Sequence, residues 1–176
     1  MKHILYFGVL PILLTACQPP SETQSVGWKS PYLYWKLQRQ ELQAPLFIPV
    51  KNVKFQQISD TWGAARSAGR RHQGVDIFAK RGTPVLSSTQ GIVREVGTNN
   101  LGGKVIWVTG PALSSHYYAH LDAYADDIQA GDWVEVGTVI GYVGNSGNAQ
   151  GTPPHLHYGI YLKGQGAVNP YPYLKH

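Results

Sequence analysis

From Leu46 onward the chain is cut into short apolar, β-branched runs by glycines and asparagines, and this punctuation favours a sheet over helices. Residues 46–50, 83–87, 91–96, 104–109, 116–120, 133–134, 139–143 and 155–162 each read as a strand. Turns such as Asn99-Asn100-Leu101-Gly102-Gly103 separate them. Strands of this length and spacing predict an all-β sandwich or barrel of antiparallel sheets. Only residues 37–42 and 123–128 predict helices. There is no strand–helix alternation and no phosphate-cradling glycine loop.

At 176 residues the chain holds one domain and a short appendage. Its 43% apolar and 14% charged residues exclude a disordered polymer. No apolar run reaches the roughly 18 residues of a membrane span. Cys17 is the only cysteine, which excludes an internal disulfide framework and any multi-cysteine metal site. The net charge of +5 suits an anionic polymer or surface. Beyond the Arg70-Arg71 pair there is no basic block, so nucleic acid is not an expected partner. Residues 131–144 have the glycine-and-valine pattern of a carrier half-barrel, but lack the lysine such a carrier needs at a hairpin tip.

The first residues read as an address. Met1-Lys2-His3 is a positive start, residues 4–14 are apolar, and Leu14-Thr15-Ala16 ends in small residues directly before Cys17. This resembles the lipobox of bacterial lipoproteins, which implies cleavage after residue 16 and a lipid on Cys17. Residues 17–45 would then be a lipid-anchored tether and N-terminal segment, Pro- and Ser-rich at first. Residues 28–46 carry Trp28, Tyr32, Tyr34 and Trp35, aromatic enough to dock on the domain that follows, residues 46–174. The expected location is periplasmic, on a membrane. Gln18 after the lipidated cysteine fits outer-membrane sorting.

The histidines carry the chemistry. His72 and Asp76, four apart in an extended segment, point to one side and are both ordinary zinc donors. Gly74 between them permits an unusual backbone angle that would help them converge. By itself such a pair is commonly structural. His155 and His157 share one face of a strand while Leu156 points to the core. Two imidazoles on one face serve a metal or catalysis, or form a surface pair. His120, within Tyr117-Tyr118-Ala119-His120-Leu121, says nothing in isolation. His116 reads as a hydrogen-bonded structural residue.

Taken together these motifs resemble the lysostaphin-type zinc metallopeptidases, also called LytM-like or glycyl-glycine endopeptidase-like. The likeness rests on Arg71-His72-Gln73-Gly74-Val75-Asp76-Ile77 with Arg81-Gly82-Thr83-Pro84-Val85, then Gly91-Ile92-Val93, then Tyr118-Ala119-His120-Leu121. It continues through Gly131-Asp132-Trp133-Val134 and Ile140-Gly141-Tyr142-Val143-Gly144 to His155-Leu156-His157, and ends at Asn169-Pro170 and Tyr173-Leu174. The resemblance implies a compact barrel-sandwich hybrid of antiparallel sheets with few helices and a narrow groove over one Zn²⁺ per chain. It assigns His72, Asp76 and His157 to the metal, and His120 and His155 to catalysis. A zinc-bound water, its pKa drawn toward ~7, would attack a peptide carbonyl while these two histidines move protons or steady the oxyanion. Trp62, Tyr117 and Tyr158 are candidates for groove walls or for core packing. Many relatives place a glutamate two residues after the last ligand histidine, where this chain has Gly159.

The implied function is a zinc metalloendopeptidase acting on the stem peptides or cross-bridges of peptidoglycan. The alternative is a non-catalytic LytM-like regulator that activates an envelope hydrolase as its partner. Such regulators have lost zinc ligands, whereas all five side chains are present here. A third reading is a latent enzyme in which residues 28–46 lie across the groove.

Overall fold

The computed structural model describes residues 29–175; the leader and Cys17 lie outside the described residues. One helix, α1 (Lys29–Gln38), precedes nine strands. These are β1 (Val75–Phe78), β2 (Pro84–Leu86), β3 (Gly91–Asn99), β4 (Gly103–Thr109), β5 (Ser115–Tyr124), β6 (Trp133–Val134), β7 (Val139–Val143), β8 (His155–Leu162) and β9 (Gly166–Val168). The main order is β1-β8-β5-β4-β3-β6, with β2 on β7, β7 also on β5, and β9 on β8. Every pairing is antiparallel. The expected all-β class of compact antiparallel sheets is therefore the observed one.

β5 organises the sheet. Its first half pairs with β8, Ser115↔Tyr161 to Ala119↔His157, and its second half with β7, Leu121↔Val143 to Tyr124↔Gly141. The change of partner falls at His120, which takes φ +63 at an irregularity in the β4 register. A bulge at that point bends the strand and re-aims one side chain.

Strand alternation separates two faces. Val75, Ile77, Ile106, Val108, Tyr118, Leu156, Tyr158 and Ile160 are fully or almost fully buried in one apolar cluster with Leu46 and Leu174. The opposite face of the same strands presents Asp76, Trp107, Tyr117, His155, His157 and Tyr161.

Three local expectations differ from the fold. Residues 46–50 make only a single bridge, Val50↔Val85, because Pro45 and Pro49 have no N–H to give a ladder. The helix lies at Lys29–Gln38 rather than 37–42, and Pro31 falls in its first turn, where a missing N–H costs nothing. Residues 123–128 are no helix either. β5 continues to Tyr124 against β7, and the chain then turns with Asp127 at φ +62.

α1 is anchored by Leu37, which has no exposure. Lys36 lies 5.2 Å from the centre of the Trp133 ring, and Gln90 bonds Gln40 beyond the helix end. This is the β3–β6 side, away from the Asn99–Gly103 turn that borders the groove described below.

Behind β8 runs a directed chain of buried hydrogen bonds. The Ser88 amide donates to the Tyr118 hydroxyl, which leaves that hydroxyl to donate to Ser88 Oγ. Ser88 Oγ donates to the Tyr158 hydroxyl, and Tyr158 to His116 Nδ1. His116 Nε2–H then donates to Ser114 Oγ, which donates to the Pro111 carbonyl. A second proton on His116 would set two donors against each other at Tyr158. Burial holds its pKa down to about 3, against 6.5 in an open chain. The unfolded state takes a proton below pH 6.5 that the fold refuses, so His116 favours folding above that value and this advantage drains away as pH falls toward 3. The metal-free protein should lose stability from pH 6.5 to 4.5, by up to about 1.4 kcal/mol per pH unit from this group. Urea unfolding of wild type and His116→Gln should show a shallower pH slope in the variant; parallel slopes would refute the assignment.

Candidate metal centre and groove

A hairpin over residues 63–72 delivers the first donor. Gly63 N bonds His72 O and His72 N bonds Ala64 O, both at 2.9 Å, so His72 leaves the hairpin immediately before β1. β1 supplies Asp76, and the neighbouring β8 supplies His157 directly opposite it in register. His72 Nε2 lies 2.8 Å from His157 Nδ1 and 3.0 Å from Asp76 Oδ1, and His157 Nδ1 lies 3.2 Å from the same oxygen. All three are within reach of a single ion.

The chemistry of these donors fits a cation. His72 Nδ1–H donates to the Thr61 carbonyl at 2.7 Å, so Nε2 of the neutral ring offers a lone pair. Two acceptors therefore converge with a third group that can contribute at most one proton. Two imidazoles and a carboxylate are an ordinary zinc set, and donors on bonds of about 2.1 Å stand about 3.4 Å apart in a tetrahedron, close to the spacing seen. Thr61 also accepts the Asp76 amide on its hydroxyl, so one residue steadies both His72 and Asp76. Burial alone would push the Asp76 carboxyl up, but it is opposed first by the hydrogen bond from His157, and the carboxyl is held far below the usual carboxylate range. Burial lowers His157, which favours the neutral, metal-binding ring. The second Asp76 oxygen is held by Arg66.

His155 and His120 stand beside this cluster. His155 Nε2 is 3.9 Å from Asp76 Oδ1, and the His120 and His155 rings are 5.0 Å apart. Both are oriented from the 145–154 connection: His120 Nδ1–H donates to the Ser146 carbonyl and His155 Nδ1–H to the Pro153 carbonyl, each at 2.9 Å. In the neutral rings both Nε2 atoms are then free acceptors. Burial, with repulsion from His157 and His155, lowers His120 to about 4. Arg81 bonds both Asp122 and Asn145, tying this connection to β5.

All five histidine and aspartate positions singled out in the sequence thus line one groove of about 810 Å³. Tyr117 lines it as well. Tyr158 does not: it is fully buried in the core on the other face of β8, and Trp62 is not among the lining residues. Among the described residues none from 29 to 46 reaches the groove.

Gly74 works differently from the expectation. A side-chain carbon there would sit 2.5 Å from the Tyr158 carbonyl and 2.7 Å from His157 Cε1, so what it provides is room for the ligand ring. Gly74→Ala should cost about 1–3 kcal/mol of stability and weaken zinc binding about 10- to 100-fold. Thermal melts and competitive zinc titration read the two effects, and unchanged values in both would show the site tolerates the methyl.

Sequence reasoning missed Trp107, Tyr161 and the arginine side of the groove. Trp107 packs against Tyr117 and Tyr161 with its ring tilted to each, at 4.3 and 5.2 Å between ring centres, to form one wall. Its position on the same alternating face as Tyr117 was the available signal.

Residues 70–170 match the model of peptidase family M23. An L-Ala–D-Glu endopeptidase of Bacillus subtilis is 45% identical over 125 residues, 65% of this chain and 38% of that protein. The chain thus spans less than half the length of the curated relatives it matches first. The catalytic domain of the antimicrobial peptidase lysostaphin from Staphylococcus simulans superposes with a TM-score of 0.61 at 32% identity, over 68% of this chain and 92% of that one. A zinc-containing peptidase from Vibrio cholerae gives a TM-score of 0.61 at 26% identity, over 76% and 40%.

Proposed function

Since the chain belongs to peptidase family M23, we propose that it is a zinc metalloendopeptidase that hydrolyses peptide bonds of peptidoglycan, in stem peptides or cross-bridges. The observation that supports this reading is the convergence of His72, Asp76 and His157 beside two further histidines whose free nitrogens face the same groove. A zinc ion held by the three donors would polarise the scissile carbonyl and acidify the attacking water. The chain's own residues do the rest. His155 and His120 each present an acceptor nitrogen, and whichever takes the water's proton becomes a donor to the developing oxyanion or the leaving nitrogen. The groove walls hold the peptide over the ligands. With all five side chains present and brought together, no observation favours the regulator alternative.

The envelope location is part of the proposal. Cys17 would carry the lipid, and the domain would work from the periplasmic face of the outer membrane on a polymer that cannot diffuse to it. The test is zinc content measured alongside digestion of purified peptidoglycan. One zinc per chain with release of muropeptides is expected, and the product masses would name the bond. Zinc bound with no release from any peptidoglycan would overturn the hydrolase reading and direct the search to a partner hydrolase.

A further inference from the structure

The groove has a charged side that the ligand chemistry does not use. The 63–72 hairpin, closed by the Ala65↔Arg71 bridge and the Arg66 N to Arg70 O bond, carries Arg66, Arg70 and Arg71 along one wall. Arg66 is engaged on Asp76. Arg71 gives one Nη1–H to the Gly63 carbonyl at 3.1 Å, and Arg70 bonds only Ser67 at the hairpin tip. Both are exposed, and among the described residues neither meets a carboxylate. Among the described residues Asp76 is the only carboxylate lining the groove, and its two oxygens are taken by the histidine donors and Arg66. The groove also has an aromatic side, from Trp107, Tyr117 and Tyr161. A positive side and an aromatic side in one groove, with a bound cation adding further charge, are a poor match for a neutral oligoglycine and a good one for an acidic peptide.

We propose that Arg70 and Arg71 are specificity-determining residues that bind a free carboxylate beside the scissile bond, so that the substrate is an acidic stem peptide and not a neutral cross-bridge. The inference rests on the hydrolase reading and sharpens it. A guanidinium fork holds a carboxylate through paired, charge-assisted hydrogen bonds, and no amide replaces both partners of that contact. Arg71 lines the same groove as His72, Asp76 and His157, so a carboxylate on it is held in the groove that contains the three donors. The anchored peptide would then present a backbone carbonyl toward the ligands while its apolar parts rest on Trp107 and Tyr117.

The test separates binding from cleavage. Fluorescently labelled stem tetrapeptide with free side carboxylates, the same peptide with those carboxylates amidated, and pentaglycine are titrated against the zinc-loaded protein and against Arg70→Gln, Arg71→Gln and the double variant. Cleavage of the same three peptides is followed by mass spectrometry. The acid peptide should bind about 10- to 100-fold more tightly than its amide, and this ratio should fall toward one in the double variant and shrink as salt rises. Equal affinity of wild type for acid and amide, or a ratio untouched by the double substitution, would overturn the carboxylate assignment whatever is cleaved. Acid-selective binding with no cleavage of any peptide would sink the hydrolase reading and leave the arginine wall standing as a recognition site. Melting curves with zinc bound confirm that the variants are folded, as expected for exposed side chains.

Discussion

His157→Ala is expected to empty the metal centre and to reduce peptidoglycan hydrolysis by about 10³-fold or more. His157 would supply one of the three donors, its Nδ1 lying 3.2 Å from Asp76 Oδ1, so its loss removes a third of the ligand set. The remaining His72 and Asp76 keep their Thr61 contacts and stay in place, but two protein donors hold zinc poorly. Polarisation of the carbonyl by a metal is a contribution of several kcal/mol, and each 1.4 kcal/mol is a factor of ten in rate. Metal analysis after dialysis and muropeptide release provide the readouts. A His157→Ala protein with full zinc occupancy and unimpaired cleavage would remove this residue from the centre.

The second large effect concerns His155 and His120, which the proposed function leaves free to move protons. His155→Ala should keep its zinc and lose about 10²–10⁴-fold in kcat, the usual worth of a positioned acid or base. His120 needs a different substitution, because its backbone sits at φ +63. Asparagine is at home there, whereas alanine adds roughly 1 kcal/mol of backbone strain. His120→Asn should therefore melt close to wild type, bind zinc, and show a kcat loss in the same range. A kcat within twofold of wild type in either zinc-loaded variant would show that its ring takes no part. Unlike the ligand substitution, these changes should leave KM nearly unaltered, since the arginine and aromatic walls are untouched.

The strand plan was readable because turn residues fall where β-branched runs end and because period-2 alternation survives folding. His155 and His157 face the groove while Leu156 faces the core, as their spacing requires. The errors also have local causes. The 123–128 window has helical spacing, but β7 was waiting to pair with Ala123 and Tyr124, and a ladder with a neighbour outweighs weak propensity. Leu37 is the expected first residue of the 37–42 helix. It is instead the buried anchor near the end of one that begins at Lys29.

By itself, then, the sequence determined which residue types were on offer: an all-β chain, two zinc-type donors four apart, a His-x-His on one strand face, and a histidine in an otherwise apolar strand. Tertiary structure decided how they meet. His72 and His157 are 85 residues apart, and only the β1–β8 register brings their nitrogens to 2.8 Å. His120 joins them because β5 changes partner and bulges at that residue, which no local pattern encodes. Tyr158 went to the core and Tyr117 to the groove because adjacent positions on paired strands point to opposite sides of the sheet. The side that became the groove was set by which face the apolar cluster closed over. The arginine wall is of the same kind: ordinary exposed cations in the chain, gathered on one side of the groove by a hairpin, with Arg66 alone engaged on Asp76.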